Sequence, residues 1–329
     1  MKILSASQTE ALLPYPKLIA ALQDAFAGFR SEPWIVPQRN VTHTGDGMVL
    51  TMLAADKQHL GIKTVTVFPK NAHRRLPVVQ AIYLLFDGAT GTPLSQLDGD
   101  VLTARRTAAT TALASKFLAR KDSRGLSLFG AGVQARAHIG AMLETFPEIE
   151  VVWICSRNHR HAEECAKEMA EQIRARQSLQ SGSVTKSGLP LFQATDAETA
   201  ARQADILCTC TTSPTPVFNG QWLKPGAHVN AVGAFQPDAR ELDDESIRRA
   251  SIFVEIYESV LAEAGDLLIP LRSGVIYEEN ILGDLPALLS GKCEGRTEAE
   301  QLTLFKSTGH ALEDLTAAKT ALQFSMLKG

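Results

Sequence analysis

The sequence has no run approaching the roughly 18 consecutive apolar residues that a membrane-crossing helix needs. Its opening stretch, MKILSASQTEALLP, reads as too polar and too soon interrupted for a signal peptide. Excess charge of one sign is also lacking. A net charge of -3 and a pI near 6.3 supply neither a polycation for nucleic acid nor a basic anchor for a membrane. The cysteines, Cys155, Cys165, Cys208, Cys210 and Cys293, form no C-x-x-C and no framework spacing. They read as reduced thiols rather than a disulfide scaffold. These absences predict a soluble cytoplasmic protein with no nucleic-acid or membrane partner. With 329 residues, 45% hydrophobic and 21% charged, the chain can bury the cores of two domains without a structural metal.

What is present divides by its period. Residues 15–30, YPKLIAALQDAFAGFR, place Leu18, Leu22, Ala25, Phe26 and Phe29 on one helical face. GMVLTMLAA, LGIKTVTVF and VVQAIYLLFDGATGTPLSQLDG then read as strands, the last turning at DGATG, before the Ala- and Leu-rich helix DVLTARRTAATTALASKFLAR. This predicts an α+β region built on hairpins. From about residue 124 short apolar strands alternate with helices: GLSLFGAG into VQARAHIGAMLETF, EVVWICSR into HRHAEECAKEMAEQIRARQ, then PLFQAT, DILCTCTT, AHVNAVGA and SIFVEI. Alternation of that kind predicts a doubly wound parallel sheet. Residues 178–188, SLQSGSVTKSG, read as a surface loop. The last helix is expected over about 297–325, with Leu302, Phe305, Gly309, Leu312, Leu315 and Ala318 on one side. The expected fold is α/β: a Rossmann-type dinucleotide-binding domain over 121–302, and an α+β domain from 1–120 joined by the C-terminal helix, 303–329.

Gly130, Gly132 and Ala135 form a G-x-G-x-x-A turn directly after a strand and opening a helix. Gly130 permits the tight turn, Gly132 the approach of backbone to a pyrophosphate, and Ala135 close helix–strand packing. An Asp or Glu at the end of the second strand would bind the ribose 2′-hydroxyl of NAD. That strand, EVVWIC, instead ends in Ser156, Arg157 and Asn158. A guanidinium with small polar donors suits a 2′-phosphate, so the expected cofactor is NADPH, with NADH as the alternative. The competing view makes Arg157, His159, Arg160 and His161 a solvated helix start. His159-x-His161 lacks the further ligands a metal would need, and no metal is expected.

Lys63 falls inside the largely apolar strand LGIKTVTVF, where an ammonium is costly unless an anion pairs with it. Arg39 follows a proline-limited turn in PWIVPQRNVTH. Arg105 and Arg106 are adjacent on a helix, about 100° apart, so only one can face a given crevice. Beside a nicotinamide domain these cations suggest a small carboxylate-bearing substrate.

The chain resembles the ornithine cyclodeaminase/μ-crystallin family across nearly its full length. GIKTVTVFPKN, VQAIYLLFDGATGTPL, LTARRTAATTALAS, FGAGVQA, HVNAVGAFQPDARELD, AEAGDLL and FKSTGHALEDLTAA carry the resemblance. It implies a homodimer whose N-terminal domain and C-terminal helix form the interface and most of the substrate site, beside a central Rossmann domain. It also implies Arg39, Lys63 and Arg106 as substrate-carboxylate residues, with Gly132, Val133 and Gln134 as the pyrophosphate loop. Thr211 and Thr212 match the nicotinamide contact after DILCTC, and Lys306 and Ser307 a segment near the nicotinamide. Val232, at the end of the AHVNAV strand, joins the expected cofactor set.

Cyclodeaminases of this family carry an Asp two residues after the Gly of their V-G-G turn, where it handles the substrate's side-chain amine. Aligned on Gly233, Pro237 and Glu241, that position is Phe235. Phenylalanine can neither orient nor deprotonate an amine, unless Asp238 stands in for the missing acid. The expected reaction is therefore NADPH-dependent reduction of a preformed cyclic ketimine carboxylate, Δ1-pyrroline-2-carboxylate or Δ1-piperideine-2-carboxylate. Arg39 and Arg106 would hold the carboxylate, Lys63 would serve the nitrogen proton, and Phe235 would pack near the ring. An ornithine cyclodeaminase, an alanine-type amino-acid dehydrogenase and a non-catalytic NADP- and ligand-binding protein are the competing readings.

Overall fold

A computed structural model describes residues 1–179 and 188–327. The chain divides into two compact units, Met1–Thr110 with Gly309–Gly329, and Thr111–Thr308. The first unit holds β1 (Lys2–Leu4), α1 (Ala6–Ala11), α2 (Tyr15–Gly28), β2 (Asn40–Thr44), β3 (Gly47–Ala55), β4 (His59–Val67), β5 (Val79–Asp87) and β6 (Pro93–Asp98). The boundary at Thr110 falls within α3 (Gly99–Leu118).

Strands β2 to β6 form an antiparallel meander and β1 joins β6 in parallel, giving the order β1-β6-β5-β4-β3-β2. The period-2 alternation of these strands sorts their side chains onto two faces. Leu50, Met52, Ala54, Tyr83, Leu85 and Leu97 are buried on the face that the C-terminal helix α11 (Ala311–Leu327) covers. Helix α2 packs on α11, burying Leu18, Leu22 and Phe26 as their helical spacing predicts; each contributes about 1.5–3 kcal/mol. Lys63 lies on that buried face, opposite Met52 on β3 and Tyr83 on β5. On the other face Leu53, Ile62 and Leu84 stand in register across three strands and are only half-buried.

The second unit alternates β7 (Gly125–Phe129), α4 (Val133–Thr145), β8 (Val151–Cys155), α5 (His159–Leu179), β9 (Leu191–Ala194), α6 (Ala197–Gln203), β10 (Ile206–Thr209) and β11 (His228–Ala231). It continues with α7 (Asp244–Arg249), β12 (Ser251–Val254), α8 (Tyr257–Glu263), α9 (Gly265–Arg272), β13 (Ile281–Asp284), α10 (Leu285–Leu289) and β14 (Thr303–Lys306). The described strands pair in parallel in the order β13-β12-β14-β11-β10-β7-β8-β9. Every residue of β7, β10, β11 and β14 is buried, which is why these strands read as unbroken apolar runs rather than alternating ones. The expected α/β fold with a Rossmann-type parallel sheet is present.

Three expectations need correction. The C-terminal helix begins at residue 311, not near 297: α11 is Ala311–Leu327. Leu302 precedes, and Phe305 lies in, β14, an inner strand between β11 and β12. The apolar spacing from Leu302 to Leu315 imitates a helical stripe, but Gly309 has φ +81 and breaks it. The strand read in AHVNAV, with Val232 at its end, spans His228–Ala231, and β13 was not foreseen, its ILGD holding only two apolar residues before a glycine and an acid. Of the expected loop at 178–188, residues 180–187 lie outside the described residues, and α5 runs to Leu179. No helix among the described residues is long and apolar enough to cross a membrane.

Candidate functional site

In the second unit the strand order reverses between β7 and β10, with β8 and β9 on one side and β11 onward on the other. Ligands of open α/β sheets bind outside the carboxyl ends of the strands at such a point. The turn after β7 is set against the end of β10. Gly130 has φ +111, and a Cβ there would meet the Cys210 carbonyl oxygen at 2.6 Å, so glycine is required. Gly132 is the N-cap of α4 and makes no side-chain cap hydrogen bond. A Cβ on it would find nothing within 4 Å, Val133 is exposed, and the buried Gln134 Oε1 has no hydrogen-bond partner among the described residues. Open space in front of uncapped first-turn N–H groups at the positive end of a helix fits a pyrophosphate.

The remaining expected cofactor residues lie at neighbouring strand ends. Ser156, Arg157 and Asn158 follow β8. Asn158 Oδ1 accepts from the Arg160 N–H at 3.2 Å, while Arg157 is exposed and has no ion pair among the described residues. Thr211 and Thr212 follow β10; the Thr211 N–H and hydroxyl both donate to Glu241 Oε1, at 2.7 and 2.6 Å. Val232 extends β11, its N–H donating to the Thr209 carbonyl at 3.1 Å. Ser307 follows β14 and is buried, its hydroxyl donating to Glu255 Oε1 at 2.7 Å. Phe235 is 43% exposed, so it is not a core residue of this unit.

In the first unit the expected substrate cations converge on the start of α11. Lys63 Nζ donates to Asp314 Oδ1 at 2.9 Å and lies 2.8 Å from Oδ2. Arg106 Nε donates to Asp314 Oδ1 at 2.9 Å and its Nη1 to Glu313 Oε2 at 2.8 Å. Arg39 Nη2 donates to the Gly309 carbonyl at 2.7 Å. Gly309 fixes that meeting point, because a Cβ on it would strike Arg106 Nη1 at 2.7 Å. Arg105 turns away. Its Nε donates to the Leu13 carbonyl at 3.1 Å, and its guanidinium stacks 3.7 Å from the centre of the Tyr15 ring. Of the two adjacent arginines, Arg106 joins Lys63 at Asp314 and Arg105 does not.

Burial governs the electrostatics of this cluster. Desolvation drives the Lys63 ammonium down to about 8 against the pull of Asp314, with Arg106 and Arg39 adding to the depression. Burial alone would raise the Asp314 carboxyl, yet Lys63 and Arg106 hold it below its ordinary range. Desolvation raises Tyr83 well above the ordinary phenol value, and Asp314 adds to the rise. His310, edge-on to Phe29 with ring centroids 5.4 Å apart, is pushed down to about 4 by burial and is neutral near pH 7. The result is a cationic site rigidly held by internal carboxylates, with an ammonium that titrates near neutrality.

Residues 1–323 match the ornithine cyclodeaminase/mu-crystallin family. The chain belongs to this family. It is 37% identical to the ketimine reductase mu-crystallin of Rattus norvegicus, over 92% of this chain and 90% of that protein. Among solved structures, the Δ1-pyrroline-2-carboxylate reductase of Thermococcus litoralis in complex with NADH and L-proline is 35% identical, with a TM-score of 0.91 over 100% of this chain and 98% of that one. An archaeal alanine dehydrogenase dimer with bound NAD is 29% identical, with a TM-score of 0.87 over 100% and 97% of the two chains.

Sequence reasoning missed the carboxylates that organise both units. Lys63 in an apolar strand signalled that an anion must be near, but Glu313 and Asp314 of GHALEDL, expected in the middle of a longer helix, are in fact the acidic first turn of α11. Nothing local joined them, since Lys63 and Asp314 are 251 positions apart. Glu241 served only as an alignment landmark, although it is fully buried and accepts hydrogen bonds from the ends of two strands.

Proposed function

We infer that the chain is an NAD(P)H-dependent oxidoreductase acting on a C=N bond, and that its substrate is a cyclic ketimine carboxylate. Δ1-Pyrroline-2-carboxylate and Δ1-piperideine-2-carboxylate are the two candidates, giving L-proline and L-pipecolate. The observation that carries this reading is the convergence of Arg39, Lys63 and Arg106 on Gly309 and Asp314. A substrate carboxylate bound by Arg39 and Arg106 would meet charge-assisted donors held by buried partners, which limits the reorganisation cost of binding. Phe235, where a carboxylate would serve amine chemistry, supports reduction of an imine over cyclisation of a diamine. The similarity to an imine reductase and to a ketimine reductase points the same way.

The Gly130–Gln134 turn would hold a dihydronicotinamide cofactor, whose chemistry would be hydride donation to an imine carbon. The chain's own residues do the rest. Arg39 and Arg106 orient the carboxylate and so the adjacent C=N carbon. The Lys63 ammonium supplies the proton that the nitrogen gains as the C=N bond becomes C–N, and is reprotonated from solvent. Asp314 keeps that ammonium charged and in place. Ser156 and Arg157, an exposed guanidinium with no ion pair among the described residues, support NADPH over NADH, since a 2′-phosphate would give it an anionic partner. The half-buried row Leu53, Ile62 and Leu84, together with the dimeric archaeal relative, supports a homodimer formed through the first unit. Nothing in the composition opposes a cytoplasmic location.

The test is oxidation of NADPH, followed by absorbance, with each cyclic imine. NADH, pyruvate plus ammonia, and ornithine plus NAD are run in parallel. Turnover of a cyclic imine with NADPH preferred is the expected result. Ammonia release from ornithine without imine reduction would overturn the argument from Phe235. Efficient turnover of pyruvate with ammonia alone would make the chain an amino-acid dehydrogenase, and NADPH binding without turnover would make it a binding protein.

A further inference from the structure

Glu241 lies in the loop segment between β11 and α7 and is completely buried. Its carboxylate faces donors from two strand ends. Oε1 accepts from the Thr211 N–H and hydroxyl at 2.7 and 2.6 Å. Oε2 accepts from the Thr209 hydroxyl at 2.7 Å, the Gly233 N–H at 2.7 Å and the Ala234 N–H at 3.3 Å. Thr209 and Thr211 belong to the end of β10 and the residues after it, Gly233 and Ala234 to the turn after β11. Among the described residues both oxygens therefore face only donors, and an amide in place of the carboxylate would turn an NH2 group toward at least one of them.

The carboxylate is itself anchored. The Glu241 and Leu242 N–H groups donate to Asp266 Oδ1 at 2.7 and 3.0 Å. Lys306, the last residue of β14, donates to Asp266 Oδ2 at 2.8 Å and to the Ala234 carbonyl at 2.6 Å. Glu241, Asp266 and Lys306 thus close a buried ring through the carboxyl ends of β10, β11 and β14. A fully satisfied buried network of this kind rigidifies what it joins. Those three strand ends carry Thr211, Val232 and Ser307, whereas the Gly130–Gln134 turn and Ser156–Asn158 lie after β7 and β8, on the other part of the reversal.

We propose that Glu241 is a positioning residue for the nicotinamide half of the cofactor: its carboxylate fixes the loops after β10 and β11 in the geometry that receives the ring, while the adenosine half is held independently of it. The proposal rests on the cofactor reading given above.

The test compares two equilibrium affinities, for NADPH and for adenosine 2′,5′-bisphosphate, which contains only the adenosine half. They are measured on the wild-type protein, Glu241→Gln and Glu241→Asp. Loss of a charged acceptor facing several donors is expected to weaken NADPH by roughly ten-fold or more, with the bisphosphate changed less than about two-fold. Glu241→Asp, which keeps the charge on a shorter stem, should recover part of the NADPH affinity. Equal weakening of both ligands would mark a general structural role and overturn the proposal, as would unchanged NADPH affinity in Glu241→Gln. If Glu241→Gln fails to fold, Thr209→Val carries the same comparison, because it removes one of the bonds to Oε2, leaves the carboxylate in place and changes no residue of the expected cofactor set. Failure of the wild-type protein to bind either ligand would instead refute the underlying cofactor reading.

Discussion

Replacing Asp314 by Asn would separate the structural from the chemical role of the Lys63 pair. The carboxylate is 1% exposed and serves two cations that are themselves 2% and 5% exposed. Arg106 would retain Glu313, but among the described residues Lys63 has no second carboxylate at ion-pair distance. Its pKa of about 8 stands below the ordinary 10.5, so holding the ammonium buried already costs about 3 kcal/mol even with Asp314 present. Between those two values the unfolded chain binds the extra proton, so the Lys63 contribution to stability rises with pH from about 8 to 10.5 and its cost is fully present below 8. Breaking a buried pair costs about 3–5 kcal/mol if the remaining charge must stay. Lys63 need not stay charged. Losing its proton at pH 7 costs only about 1 kcal/mol, set by the distance from 7 to its present value near 8. The Lys63 share of the destabilisation is therefore capped near that figure, and Asp314→Asn should fold.

The chemical consequence is larger than the structural one. Without Asp314 both the Coulombic and the hydrogen-bond support for the ammonium vanish, and a drop of about two pH units is expected for a loss near 3 kcal/mol. If the ammonium supplies the nitrogen proton, wild-type kcat/KM should decline above about pH 8. In Asp314→Asn the decline should begin near or below pH 7, leaving roughly a tenth or less of the activity at neutrality. The assay is imine reduction at saturating cofactor across that range, with a denaturation curve at each pH to confirm folding. An alkaline limb at the same pH in both proteins would refute the assignment of the proton to Lys63.

Arg157→Ala should weaken NADPH by roughly ten- to a hundred-fold, the worth of a charged hydrogen-bond partner, while leaving NADH affinity unchanged; titration with both cofactors checks it, and equal loss of the two would refute the 2′-phosphate role. Gly309→Ala imposes about 1–2 kcal/mol of left-handed strain on a residue at φ +81 and pushes a methyl at Arg106 Nη1. Its signature should be a KM for the imine raised about ten-fold or more, and an unchanged KM would show that Arg39 and Arg106 need not meet there. Ile62→Lys places a charge in the centre of the row formed with Leu53 and Leu84. Sedimentation should show dimers for the unmodified chain and monomers for the variant, and an unaltered dimer would place the interface elsewhere.

Local pattern determined much of this protein. Unbroken apolar runs separated by helices were enough to specify a parallel sheet, because buried strands need no alternation. The Gly130–Gly132 turn was legible because a G-x-G-x-x-A spacing stood directly between a strand and a helix start, and the absence of an acid after β8 was legible because that position is fixed by the turn before it. The sequence also marked Lys63 as a charge needing a partner. Only the tertiary structure named the partner, because α11 brings Asp314 onto β4 across 251 positions. It alone decided that residues 303–306 pair between β11 and β12 instead of continuing into a helix. That choice depends on two neighbouring strands offering hydrogen bonds, and the segment's own period cannot encode it. It likewise gathered Thr211, Gly233 and Lys306 around Glu241 and Asp266, because a carboxylate's place is set by the backbone donors that would otherwise be buried without acceptors.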